Sequence, residues 1–265
     1  MVELAARKVV RKTRMSADTL RYTVVFVLVA LWELLPRLEL VPLVILAPFS
    51  AALIAGVSNF EIFAEHLLIT VTELALGLLI AYGAGGVLGL LLGSVRPLRQ
   101  TLLPLVSSAY AVPLVIIYPV LTAWFGIGSN SKVWFGGIYG LFPMVLATAA
   151  GVQTVDRQLI LAARSMGATG RQIVFQVMVP SAFPAIVSGL RLGGALVAIG
   201  VVVAEMMAST GGIGFLINRY RTMFMTEEVY FGILLVLIMA GTLDWFIGYI
   251  ERRTVAWHPK KASQL

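Results

Sequence analysis

The 265-residue chain has no cysteine and only two histidines, His66 and His258. Disulfides and thiol nucleophiles are thereby excluded, as is a metal centre of His and Cys ligands, while the redox compartment stays open. No G-x-S-x-G occurs, and nothing in the sequence sets a nucleophile beside a base, which argues against an intramembrane hydrolase. No G-x-x-x-x-G-K-[ST] occurs either, so the chain carries no phosphate cradle of that kind. Charge is scarce: 12% of residues are Asp, Glu, Lys or Arg, against roughly 25% in soluble domains. No polar segment is long enough to build a large soluble core.

Apolar length is abundant. Hydrophobic residues make up 59% of the chain and the mean hydropathy is +0.93, which describes a polytopic membrane protein. A span needs about 20 mostly apolar residues. Six segments qualify: 21–41, 67–93, 102–124, 133–153, 184–207 and 229–250. The expected fold is all-α, with six transmembrane helices and a loop at about 154–183 between the fourth and fifth. A basic segment (1–20) precedes this 21–250 domain and a basic tail (251–265) follows it. The N-terminal stretch runs into an apolar segment near spanning length without a small-residue cleavage site, so it does not read as a cleavable signal.

The +7 formal charge is placed rather than spread. Fifteen of the twenty basic residues fall in one set of segments: Arg7, Lys8, Arg11, Lys12, Arg14 and Arg21; Arg96 and Arg99; Arg157, Arg164 and Arg171; Arg252, Arg253, Lys260 and Lys261. The opposite set holds Arg37, Lys132, Arg219 and Arg221, and Arg191 falls within a span. Positive charge stays cytoplasmic, so both termini and the 154–183 loop are expected inside. The same reasoning assigns the charge to membrane orientation and not to nucleic acid.

Small residues mark the packing faces. Gly77, Ala81, Gly85, Gly89 and Gly93 recur every four residues, and Ala185, Gly189 and Gly193 repeat the device. Such faces let helix backbones approach closely in lipid. The third span is interrupted by Pro104, Pro113 and Pro119, each of which removes a backbone donor. Irregular backbone at membrane depth is found where it is buried in protein or lines a cavity. Tyr110, Tyr118 and Thr122 are therefore candidate pathway residues, or ordinary buried groups on a kinked packing helix.

Ionised groups inside spans are usually paired or functional. Arg191 and Asp244 both lie roughly 10 Å in from the inner side, counted at 1.5 Å per residue, and are expected to pair. Glu73 and Glu205 lie toward the outer ends of the second and fifth spans, as gate residues or as interfacial carboxylates reaching water. Gly211, Gly212 and Gly214 follow the fifth span and permit a re-entrant turn or a plain loop.

The stretch LAARSMGATGRQIVFQVMVP (161–180) interrupts two greasy segments with polar sequence. Asp156 can cap a short helix, which puts Leu159, Ile160, Ala163 and Gly167 on one face and Arg157, Arg164 and Ser165 toward the other. Thr169 and Gln172 have capping-box spacing for a second short helix, which Pro180 would end, with Pro184 starting the next span. Two short amphipathic helices of this kind suit a lipid interface or a partner protein.

This loop resembles that of permease subunits in binding-protein-dependent ABC importers, whose pattern is E-A-A, three residues, G, nine residues, I-x-L-P. Ala162, Ala163, Gly167, the aliphatics Val177 and Val179, and Pro180 match it in spacing. Leu161 stands where the pattern has glutamate. AWFGIGSNSK (123–132), GVQTVD (151–156), GLRLG (189–193) and VVVAEMMASTGGIGFLI (201–217) are similar to the nitrate, sulfonate and taurine branch, and the resemblance covers about residues 65–250.

The resemblance implies a non-enzymatic transport subunit of the bacterial inner membrane, two permease subunits per transporter, and alternating access driven by a separate ATPase. Homodimer and heterodimer both remain open, with a homodimer expected. Residues about 156–178 would be the coupling helix, with Ala162, Ala163, Arg164, Gly167, Ala168 and Pro180 at the ATPase joint. ATP and Mg would sit on that ATPase, and this chain would bind no cofactor. An extracytoplasmic binding protein would deliver the substrate, a small organic or inorganic anion or a vitamin-precursor heterocycle. Tyr110, Tyr118, Thr122, Glu205, Gly211 and Gly212 are the candidates for pathway or gate. The rival reading is an ion-coupled secondary carrier without an ATPase. Against it, only one span is proline-broken and no partner is visible in the other half.

Overall fold

The computed structural model describes residues 17–255; the basic residues before Ala17 and after Val255, and His258, lie outside them. Every regular element among the described residues is helical. In chain order these are α1 (Ala17–Arg37), α2 (Phe49–Ser58), α3 (Phe60–Ser94), α4 (Arg96–Tyr110), a 3₁₀ turn (Leu114–Ile117), α5 (Tyr118–Phe125) and α6 (Ser129–Gln153). There follow α7 (Arg157–Ser165), α8 (Gly170–Gln172), a π-helical turn (Ile173–Met178), α9 (Val179–Met207), α10 (Ile213–Thr222) and α11 (Thr226–Val255). Five helices are long and apolar enough to cross a membrane, and six if the bent α4–α5 pair counts as one.

The described residues form two compact units. One contains the chain up to Asn59 with Tyr220–Phe231. Its centre is Trp32, whose ring meets Phe49 and Tyr230 at centroid distances of 5.3 and 5.6 Å. The indole N–H of Trp32 donates to the Ala47 carbonyl at 2.9 Å. Glu33 accepts from the Ser50 amide and hydroxyl at 2.9 and 2.7 Å.

The second unit, Phe60–Arg219 and Gly232 onward, is built on α3, α6 and α9. The small-residue faces of α3 and α9 both pack chiefly on α6 of the same chain. A Cβ on Gly140 would lie 2.6 Å from the Gly193 carbonyl oxygen, and one on Gly89 would lie 2.6 Å from Thr148 Cβ. At such separations backbone meets backbone, so dispersion contacts and carbonyl packing replace the bulky side chains of a soluble core. Tyr82 adds a polar tie from α3, its hydroxyl donating to the Leu190 carbonyl at 2.8 Å.

The proline-interrupted third span is broken, as its sequence led one to expect: α4 ends at Tyr110, and the chain turns by 87° before continuing through the 3₁₀ turn and α5. Pro113 lacks the amide that would continue the ladder, and Pro119 sits in the first turn of α5, where its missing N–H is harmless. Pro104 lies inside α4 without ending it.

Pro180 and Pro184 do not separate a loop helix from the next span. Helix runs unbroken from Gly170 to Met207, 38 residues. The π turn lies just ahead of Pro180, and its widened register accommodates the backbone bond that proline cannot make. Finally, α2 and α10 are helices where no element was expected. Both are ten residues long, too short to register as spans.

Candidate functional site

Two constructions stand at opposite ends of α9, whose 29 residues measure roughly 43 Å at 1.5 Å each.

At the N-terminal end is the turn between α7 and α8. Asp156 caps α7 by accepting from the Gln158 amide at 2.8 Å. The helix closes in a Schellman motif: the Gly167 amide donates to Arg164 O at 2.9 Å, and the Ala168 amide to Ala163 O at 3.0 Å. Gly167 has φ +82°, a left-handed conformation that costs an L-residue roughly 1–2 kcal/mol. Thr169 then caps the next helix at once, in a complete capping box with Gln172. The A-A-x-x-x-G spacing in this chain thus has a local cause: Ala163 supplies the carbonyl and Gly167 the turn.

Ala163 and Ile173 are buried and hold this corner to the bundle. Outward face Arg157, Arg164 and Arg171 together with Leu159, Leu161, Met166 and Phe175, Met166 being 82% exposed. Of the residues expected to share one face, Ala163 is buried and Ile160 half-buried, while Leu159 and Gly167 are exposed. Arg171 lies over the Phe175 ring at 6.0 Å. Ala162, Arg164, Gly167 and Pro180 are exposed and Ala168 half-buried.

At the C-terminal end the loop 208–214 is pinned from four helices. Tyr118 of α5 donates its hydroxyl to Ala208 O at 2.9 Å. Lys132 of α6 donates to Ser209 Oγ at 2.9 Å and to Gly211 O at 3.1 Å. From α3, His66 Nδ1 accepts from the Gly212 amide at 2.9 Å and Thr70 Oγ1 from the Ile213 amide at 2.8 Å. Glu205 of α9 accepts from the Gly214 amide at 2.8 Å. Gly212 has φ +108°, and a Cβ there would overlap the Glu205 carboxyl. Beneath the loop, Lys132 Nζ lies 2.5 Å from Glu73 Oε1, an ion pair with both groups buried. Neither Glu73 oxygen takes a well-directed hydrogen bond.

The structure therefore brings together Tyr118, Glu205, Gly211 and Gly212. Tyr110 and Thr122 stand apart from the loop's contacts: Tyr110 stacks on Phe142 at 5.9 Å, and Thr122 donates to Pro119 O at 2.8 Å. Glu73, read as a gate residue or an interfacial carboxylate reaching water, is buried against Lys132. Lys132 itself was counted as a loop charge, and His66, Thr70 and Glu73 were not seen as a set. Their i, i+4, i+7 spacing on one helix face was the available signal.

Arg191 and Asp244 meet at 2.8 Å, and Glu251 approaches the same guanidinium at 3.5 Å. Both members line a largely apolar cavity of about 330 Å³ between α9 and α11. Their side chains are 47% and 59% exposed in the single chain, but both lie within spans, where that exposure is to lipid or another helix and not to water, so each charge is expected to depend on the other. A double-mutant cycle with Arg191→Ala and Asp244→Ala, read by thermal unfolding, checks this; the double variant should be less destabilised than the two single effects added together.

Residues 85–256 match the family described as binding-protein-dependent transport system inner membrane component, and the chain belongs to that family. It is 31% identical over 247 residues to the taurine transport system permease protein TauC of Escherichia coli (strain K12), covering 91% of this chain and 90% of that protein. It is 30% identical over 238 residues to a Bacillus subtilis (strain 168) protein named as an aliphatic sulfonates transport permease, SsuC, covering 87% and 84%. Its fold is that of a chain in an inward-facing structure of the MetNI methionine ABC transporter, with a TM-score of 0.67, 19% identity, and coverage of 74% of this chain and 98% of that one. The protein is thus an ABC importer permease subunit and not an enzyme, ATP hydrolysis belonging to a separate subunit. This places it with ATP-driven importers and not with ion-coupled secondary carriers.

Proposed function

We propose that this chain forms, with a second copy of itself, the pathway by which small sulfonates of the taurine type enter the cell, and that the corner at 156–178 couples it to the ATPase. The sulfonate class rests on the two relatives named above. In this reading the corner and both termini face the cytoplasm, as the basic residues indicate. A binding protein delivers substrate at the opposite end, where Glu205, Gly211, Gly212 and Tyr118 serve as a gate, with Tyr110 and Thr122 flanking the pathway. No cofactor is held by this chain; ATP and Mg act on the partner ATPase.

The observation that carries the coupling role is the corner's construction. Its caps and Schellman turn make it stiff, while its apolar side chains and three arginines are left facing outward. Displacement of such a corner does not dissipate in a hinge. It passes into the unbroken Gly170–Met207 helix and so to the loop at the far end. Arg191 is already shared by Asp244 and Glu251, so a sulfonate is held by other groups, including those of the second copy.

Gly167→Arg tests the joint, because it strains the turn and adds bulk where a Cβ meets nothing within 4 Å. The variant is expected to insert and fold normally while losing ATPase co-purification and substrate-stimulated hydrolysis. Retention of both would remove 156–178 from the coupling path.

A further inference from the structure

The clamp on loop 208–214 contains one charge too many. Glu73 and Glu205 are each 1% exposed and Lys132 2%, so two carboxyl groups and one ammonium are sealed together. Glu73 and Lys132 are the charged groups whose fields act on Glu205. With both carboxyls ionised the site would keep a net negative charge, and a buried charge without a partner takes up a proton instead.

Hydrogen-bond counting says which group takes it. Glu73 faces the ammonium directly and serves as its counter-ion. Glu205 Oε1 lies 2.8 Å from Thr70 Oγ1, which lies 3.2 Å from His66 O and already accepts from the Ile213 amide. A hydroxyl has one hydrogen and two acceptor positions. All three contacts are made without splitting one hydrogen between two acceptors if Glu205 is the donor: Oε1–H to Thr70, Thr70 O–H to His66 O, and Ile213 N–H to Thr70, with Gly214 N–H on Oε2. His66 fits the same scheme. Its Nδ1 accepts from Gly212, so its hydrogen sits on Nε2 and the ring is neutral, with Glu65, Lys132 and Arg219 as the charged groups around it.

We infer that Glu205 is a neutral carboxylic acid while the loop is seated, and that its proton is a working part of the clamp. Lifting Ile213 and Gly214 removes the amides and admits water to the carboxyl. Opening the loop and releasing one proton are then the same event. This inference stands on the clamp alone and does not depend on how the opposite corner engages an ATPase.

Infrared spectroscopy of the full chain in nanodiscs at neutral pH reads the proton directly. A carboxylic-acid C=O stretching band is expected in the wild type and absent in Glu205→Gln. That variant should keep the wild-type unfolding temperature, since an amide can donate to Thr70 and accept from Gly214 as the acid does. Thr70→Val gives a second reading that leaves the carboxyl in place: losing the acceptor should shift the acid band. A spectrum without an acid band in the wild type, or a band unchanged in both variants, overturns the inference. So does a Glu205→Gln protein destabilised relative to wild type, as loss of an ionised carboxylate would make it.

Discussion

Lys132→Met is expected to be among the most damaging single substitutions in this chain, at a cost of about 3–5 kcal/mol. Removing one member of a buried ion pair leaves the other desolvated and uncompensated. Here it would strand Glu73 and also cut the two bonds that hold Ser209 and Gly211. The cost should appear as a lowered unfolding temperature of the detergent-purified chain, with the 208–214 loop becoming protease-sensitive first. Glu73→Leu added to Lys132→Met should recover most of the loss, because an apolar pair of similar volume needs no counter-charge. A double variant as unstable as Lys132→Met alone would show that the loop bonds, and not the ion pair, carry the effect.

Gly140→Leu should be comparably severe for a different reason. Its Cβ would meet the Gly193 carbonyl oxygen of α9 at 2.6 Å, and backbone cannot swing aside as a side chain can. α6 and α9 must separate, at a cost on the order of 3 kcal/mol. Gly83→Leu is the control, since a Cβ at Gly83 meets nothing within 4 Å. Folded yield and unfolding temperature should fall for Gly140→Leu and stay near wild type for Gly83→Leu. Equal behaviour of the two would mean that glycine is tolerated at 140 and not required there.

The parts of this fold that were legible in the sequence are those set by local chemistry. Asp156 and the Thr169–Gln172 box act within four residues of themselves, so their type and spacing are enough. The four-residue glycine period fixes a helix face without knowledge of its partner. What the period leaves open is whose helix lies against it, and the answer, α6 and α9 of the same chain, is a long-range fact. The unbroken passage through Pro180 depends on a π turn, which has no composition signature here. Lys132 was misread because hydropathy assigns a charge at a span's edge to water. Its burial depends on Glu73, 59 positions earlier in the chain, and on the Ser209 hydroxyl and Gly211 carbonyl, 77 and 79 positions later. Arg191 and Asp244 were easier, since matched depth on two spans was enough to bring them together.

The absence of cysteine makes the central claim directly measurable. Met166→Cys places a single thiol at the apex of the α7–α8 corner, on a side chain 82% exposed in the single chain. The variant is co-expressed with its ATPase subunit and treated with a short thiol-reactive crosslinker. The account predicts a permease–ATPase product that Gly167→Arg abolishes and whose yield changes with bound nucleotide. A thiol that reacts freely with soluble reagents and never crosslinks to the ATPase would contradict it.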